Sequence, residues 1–482
     1  MRKKIIGIPV SIILLLVLVG AISAQAGGPP GDGYWFGATH QNVGTETATW
    51  TITAYDSASN NTYPELMDPL LPGAAVNVGP NDFPSLPAGF VGSMVTSSDQ
   101  PLVAQVNITN RQAGSLGIPD GKGAAIYGGV DAAKANASLS FPLAKNNFFN
   151  KTTTFYLQNA GSSATTIDVT FTFGGTDYNY TTPSIEPGQM VAVDPGLAGA
   201  PSGAPNGIGA MSLSAGEPIA GAMLEHEASA AVGLVLQGSS GFAPAELAQT
   251  IYCPTYKEDH FGRQSGLQVQ NAHGAAQDIE ATFVGTGGTF TRTESNVAPG
   301  ASVTFIDEGF AQGLYAATVE GSLGDVAGIV NESELPLPAG VRQTSTTYNC
   351  QAASSASTTL SYPAYKELWF GRTAALQIQN VGGSDASVTM SFTDNNGNVR
   401  TTNAQTIAPG ASSVYVCVSG NAALWSGTAL ASSTLSGVTV TSSQPIIAVA
   451  NEASWSSTSP CVPNNAPATA FDKSTANAFN LP

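Results

Sequence analysis

A unit of about 110 residues occurs four times in this chain, and that repeat restricts the fold more than any other feature. Its clearest copy is Leu376-Gln-Ile-Gln-Asn-Val-Gly382 followed by Ala386-Ser-Val-Thr-Met-Ser-Phe392, two apolar/polar alternating runs around a Gly-containing turn. Asn42, Asn159, Asn271 and Asn380 hold equivalent places at steps of 117, 112 and 109 residues, each with Gly within three residues. Eight, ten and twelve residues later come Trp50/Ile52/Ala54, Ile167/Val169/Phe171, Ile279/Ala281/Phe283 and Val388/Met390/Phe392. Alternation of period two on both sides of a turn reads as a β-hairpin with one buried face.

Two further landmarks recur. Pro72-Gly73, Pro187-Gly188, Pro299-Gly300 and Pro409-Gly410 follow their Asn by 28 to 30 residues and open a short alternating strand. Pro fixes φ and Gly accepts positive φ, so the pair makes a tight turn. Pro101-Leu-Val-Ala, Pro218-Ile-Ala-Gly and Pro445-Ile-Ile-Ala begin a closing strand, with Asp325-Val-Ala-Gly in the third copy. The spacing predicts an all-β protein of four tandem antiparallel β-sandwich domains, with boundaries at 27–133, 134–246, 247–352 and 353–456. Residues 457–482, rich in Ser, Pro, Asn and Ala, read as a flexible tail. Ala124–Tyr127 and Ser345–Tyr348 read as extra edge strands in the long connections. Helical signals are nearly absent, the best being one turn at Ala245–Gln249.

Met1-Arg-Lys-Lys4, the apolar run Ile5–Ile22 and Ala24-Gln-Ala26 have the order of a secretory signal, assigned to residues 1–26. The competing reading is an uncleaved anchor, the chain's single route to a membrane. Removal of Arg2, Lys3 and Lys4 takes the basic residues from 16 to 13 against 33 acids, a net charge of −20. That balance argues against nucleic acid as a partner. Four cysteines fit an oxidising compartment and allow three pairings, of which Cys253–Cys350 and Cys417–Cys461 are preferred.

No metal-ligand spacing joins the four histidines, and no nucleophile elbow or phosphate loop occurs. Asp394-Asn-Asn-Gly397 lacks the acids of a calcium loop and sits where a hairpin turn belongs. The sequence therefore predicts a non-enzymatic protein with no cofactor and no catalytic or metal residues.

The repeats resemble bacterial immunoglobulin-like adhesion modules, the cell-adhesion-related domains of secreted surface proteins. The resemblance rests on the Asn-x-Gly turn, the Pro-Gly turn and the closing strand. It implies immunoglobulin-like sandwiches used for display or contact outside the cell, and it carries over no binding residues. The resulting expectation is a secreted or cell-surface structural or adhesive protein: a rod of sandwiches meeting end to end in a surface layer, filament or adhesin. Its partners would be other surface proteins or itself, and glycans in the alternative reading as a secreted carbohydrate-binding protein. Trp35, Trp369, Trp425 and Trp455 are the sugar-stacking candidates, against a bland reading as core.

One charge pattern is confined to the last three repeats. Pro142-x-x-Lys145-x-x-x-Phe149-x-Lys151, Pro254-x-x-Lys257-x-x-x-Phe261-x-Arg263 and Pro363-x-x-Lys366-x-x-x-Phe370-x-Arg372 each precede the hairpin Asn by 17 residues. The same repeats place Glu225, Glu332 and Glu452 on the closing strand, where the first has Ile108. Both halves are missing together from repeat one, so the expectation is that each Glu pairs with the bases of its own domain. Bases free in solvent, or a basic pair gripping an acidic ligand, are the alternatives.

Overall fold

The computed structural model describes residues 11–18, 34–110, 124–198, 203–229, 233–260, 262–334, 345–369, 372–454, 473–477 and 479–480. Among them are β-strands and short 3-10 turns, and no α-helix. Each repeat is a sandwich of two antiparallel sheets. In the third, one sheet runs in the spatial order Gly288–Val297, Gln277–Gly285, Gly313–Gly321, Thr250–Glu258, Gln351–Ala352. The facing sheet runs Ser302–Ile306, Arg263–Asn271, Val326–Glu334, Ser345–Asn349.

The two alternating runs around each Asn do not form a hairpin. Arg372–Asn380 pairs with Ser412–Val416 and Thr434–Ser454, whereas Ala386–Asp394 pairs with Gln405–Ile407, Val399–Thr401 and the other half of Thr434–Ser454. The turn is an arch between opposite sheets. Alternation along each run reflects two inner faces meeting in one core, which looks the same in sequence as a hairpin with one buried face. Val388, Met390 and Phe392 are all fully buried there, each contributing about 2–3 kcal/mol of apolar burial.

Asn stands at the arch because its amide satisfies both ends of it. Asn380 Nδ2 donates to the carbonyls of Ser384 at 2.7 Å and Ile407 at 2.8 Å, and its Oδ1 accepts from Gly382 N at 2.9 Å. Asn42, Asn159 and Asn271 make the same three bonds in their own domains. The preceding Gln158 and Gln270 donate to the carbonyl of the Pro-Gly glycine at 3.0 and 3.1 Å. This second fourfold position escaped the sequence reading, although Gln precedes Asn in every copy.

The closing strand also changes sheets. Gly207–Ser229 pairs with Ile167–Phe173 up to Ala215 and with Thr152–Asn159 from Ile219 onward. Pro218 lies at the crossing, where a missing N–H costs no ladder bond, and its carbonyl accepts from Ala160 N. Pro101, Asp325 and Pro445 accept from Val43, Ala272 and Val381 in the same way.

The four sandwiches close into a ring, which corrects the expected rod. Ala124–Gly128, Gly233–Ser240, Ser345–Asn349 and Lys473–Asn477 each add to the closing strand of their own domain. These four strands pack against one another in cyclic order at the centre. The cores follow the same cycle. Tyr156, Ala222 and Leu224 of the second domain belong to the first core, and Ala327 and Ile329 of the third to the second. Val449 of the fourth belongs to the third core, and Ile126 of the first to the fourth. Between the last and first domains, Ser361 Oγ hydrogen-bonds Gln41 Oε1. Between the second and first, Gly188, at φ +82°, leaves only 2.3 Å between a would-be Cβ and the Tyr55 ring.

Both chain ends depart from expectation. The tail assigned to 457–482 supplies Lys473–Asn477 to the ring centre and Phe479–Asn480 to the leading strand of domain four. At the other end, Ser11–Leu18, within the stretch read as a leader, pairs along its length with Val91–Ser98, from Ser11↔Ser98 to Leu18↔Val91, and with Val130–Asp131. It occupies the slot that Asn136–Asn146, Thr250–Glu258 and Ser357–Glu367 fill in the other domains. In domain four that slot is covered on both faces, Leu360 to Glu367 being buried without a break, and a continuous apolar run suits such a position.

Candidate functional site

The charged residues singled out in sequence converge between the two sheets of their own domains. Lys145 Nζ lies 2.7 Å and Lys151 Nζ 3.6 Å from the Glu225 carboxylate. Lys257 and Arg263 lie 2.8 and 3.1 Å from Glu332. Lys366 and Arg372 each lie 2.6 Å from Glu452. The lysine comes from the leading strand of one sheet and the acid from the closing strand of the other, so each clamp ties the sandwich together. The side chain of Glu452 is 0% exposed and that of Lys366 3%.

Burial alone would push the Glu452 carboxyl up, but the nearby Lys366 and Arg372 cations and their hydrogen bonds outweigh it and hold it below its ordinary value. The Glu225 carboxyl is lowered by the same competition, with Gln237 Nε2 adding a hydrogen bond. Burial pushes the Lys145 ammonium down, against the opposing pull of Glu225. Ile108 is fully buried at the matching place in domain one.

Two acids next to the clamp lysines were not foreseen. Glu367 is fully buried and accepts from Ser419 N at 3.2 Å, from Ser419 Oγ and from the Tyr365 hydroxyl at 3.3 Å. Glu258 accepts from Gln264 Nε2 at 2.9 Å and Gly309 N at 3.2 Å. A lone acid after Lys in a strand carries no sequence sign of such a role.

Cys253 and Cys350 form a disulfide joining the leading strand of domain three to the end of its innermost strand. Cys461 lies outside the described residues, and Cys417 opens a 3-10 turn after the Ser412–Val416 strand. Asp394 is a hairpin-turn residue: its carboxylate accepts from Asn396 N, Asn398 N and Asn398 Nδ2, all at 2.9 Å.

Of the tryptophans, Trp425 is buried with its indole N–H on the Val418 carbonyl at 2.7 Å. Trp35 is 36% exposed, and Trp455 lies outside the described residues. Trp369, half-buried, lines a cleft of about 650 Å³ between domains four and one, together with Asn77, Asp394, Asn396, Ser433 and Thr434. The Lys366 ammonium stands 5.5 Å from its ring centre.

No family model and no curated protein matches the chain. Among solved structures, a crystal structure of Thermotoga maritima 1070 is similar over 23% of this chain and 95% of that one, at 15% identity and a TM-score of 0.18. The arabinofuranosyltransferase AftD from Mycobacteria is similar over 78% of this chain and 33% of its own length, at 9% identity and a TM-score of 0.12. Neither likeness is strong enough to bear on fold or function.

Proposed function

We propose that this chain is an exported, non-enzymatic structural or adhesive protein that presents a rigid ring of four adhesion-type β-sandwiches at the cell surface. The observation that carries this reading is how the buried charge is used. Glu225, Glu332 and Glu452 are each bonded to two bases of their own domain. These groups hold sheets together, and none of them is among the residues lining the Trp369 cleft. The Cys253–Cys350 disulfide supports an oxidising compartment, and the net acidic charge supports protein partners over nucleic acid. An antibody to the chain tests the reading by fractionation: most of the protein should sediment with the envelope. Recovery only as a soluble monomer in the medium contradicts it.

The cleft beside Trp369 favours one second reading, a glycan site. A tryptophan lining a cleft together with amide and hydroxyl groups has the composition that contacts and hydrogen-bonds a sugar ring. A glycan array probed with the chain and with Trp369→Ala tests it. Hits lost in the variant support the reading, and an array without hits removes it.

A further inference from the structure

Among the described residues after position 26, domain one has no leading strand of its own, unlike the other three. The segment 27–33, Gly-Gly-Pro-Pro-Gly-Asp-Gly, is a poor strand former, because Pro cannot donate to a ladder and Gly gives no side chain to pack. Every other described strand near the chain ends is already placed. Phe479–Asn480 and Lys473–Asn477 complete domain four, and Val130–Asp131 flanks the slot from its far side. In the structure the slot is filled by Ser11–Leu18, which lies inside the stretch that reads as a cleavable leader. Export removes that stretch, yet the sheet needs a strand there.

We infer that domain one of the exported chain is completed by an extended, apolar strand of about eight residues donated by a different polypeptide. The inference rests on the export reading given above. Its length follows from the eight register pairs between Ser11–Leu18 and Val91–Ser98. Its apolar character follows from the slot's two covered faces. One is the core of domain one, which holds Met94, Ile52 and Ala54; the other looks toward domain two, whose Gly207–Ser229 strand contacts Ser11–Leu18. Its direction is antiparallel to Val91–Ser98.

An empty slot would leave Val91–Ser98 as a bare sheet edge over an open core, a template for strand addition. The donor is taken to be a different protein: the described strands of this chain each sit in a sheet of their own, and donation by a second copy would show as protection that tracks self-association.

The test uses the exported chain, isolated from the envelope and stripped of bound polypeptide under mild denaturant. Intact mass fixes its first residue, and amide hydrogen exchange reads the slot. The probe is a synthetic peptide of residues 11–18 flanked by lysines for solubility. In the stripped chain the amides of Val91–Ser98 should exchange freely while those of the equivalent Gly313–Gly321 stay protected. Saturating peptide should slow the Val91–Ser98 amides about 100-fold, and the same peptide with Leu15→Pro should not, since Pro breaks the ladder. Three results overturn the inference: an exported chain that retains residues 11–18, full protection of Val91–Ser98 without peptide, or protection that tracks only self-association. Failure of export itself is separate and shows as a chain held in the cytoplasm with its leader intact.

Discussion

Lys366 and Glu452 lie 2.6 Å apart across the two sheets of the fourth domain, with 3% and 0% of their side chains exposed. Two opposite charges taken out of water cost several kcal/mol each, and only their attraction and added hydrogen bonds offset that. Removing one partner leaves the other buried and uncompensated. Glu452→Gln should therefore destabilise the fourth domain by about 3–5 kcal/mol, and urea melts of the variant measure it. Replacing Glu452, Lys366 and Arg372 together by apolar residues of similar size should cost much less.

The same carboxylate fixes the sign of one pH effect. The Glu452 carboxyl is lowered in the fold, so its contribution is fully present above its unfolded value near 4.5 and is lost as pH falls through its lower folded value. Acid melts should show domains two and four loosening below about pH 4.5, with Glu452→Gln removing part of that dependence in domain four.

His40 predicts an earlier acid response in domain one. Its ring is fully buried, 4.7 Å from the Trp50 ring centre with Nε2 3.0 Å from Thr96 Oγ1, and burial pushes its pKa from 6.5 down to about 3. Between those values the unfolded chain binds a proton that the folded chain does not. Stability present above pH 6.5 is thus lost as pH falls, by at most about 1.4 kcal/mol per unit. Leu157, Val269 and Ile378 occupy the equivalent place elsewhere, so His40→Leu should flatten the profile between pH 6 and 4 without loss of fold. Thermal melts across that range decide it.

The arch predicts that Asn380→Ala is costly although no charge is lost. Two carbonyls and one N–H would lose their partner, at a cost of roughly 3 kcal/mol. Asn380→Asp should not rescue the loss, because a carboxylate cannot donate to the carbonyls of Ser384 and Ile407. Chemical denaturation of the two variants side by side is the check.

These residues also mark how far the sequence could be read. Alternation at Val388/Met390/Phe392 and the Asn spacing disclosed the sandwiches and their number, because core faces impose period two. The clamps were legible because buried bases and acids recur together in three repeats and vanish together in the first. The arch was not, since a hairpin and a cross-sheet turn bury the same alternate residues. Nor was the ring. Its centre is made from Ala124–Gly128, Gly233–Ser240, Ser345–Asn349 and Lys473–Asn477, of which the first three look like ordinary edge strands until their second face is covered. The hints were the apolar Ala124-Ala-Ile-Tyr127 and Leu234-Val-Leu236, which do not alternate.

Ring closure gives a further prediction at a single glycine. A Cβ at Gly437 of domain four would stand 2.2 Å from Gln41 Nε2 and 2.6 Å from the Gly73 carbonyl of domain one. Gly437→Leu should open the junction between the last and first domains while each sandwich keeps its core. Faster amide exchange along Tyr34–Asn42, with Gly313–Gly321 unchanged, is the expected result.

The shape of the chain in solution tests the account most directly. Small-angle scattering of the disulfide-intact protein should give a radius of gyration near that of a compact chain of this length, about 23 Å, with a single-peaked distance distribution. A radius roughly twice as large, or a distribution with a long tail from beads in line, would contradict the closed ring.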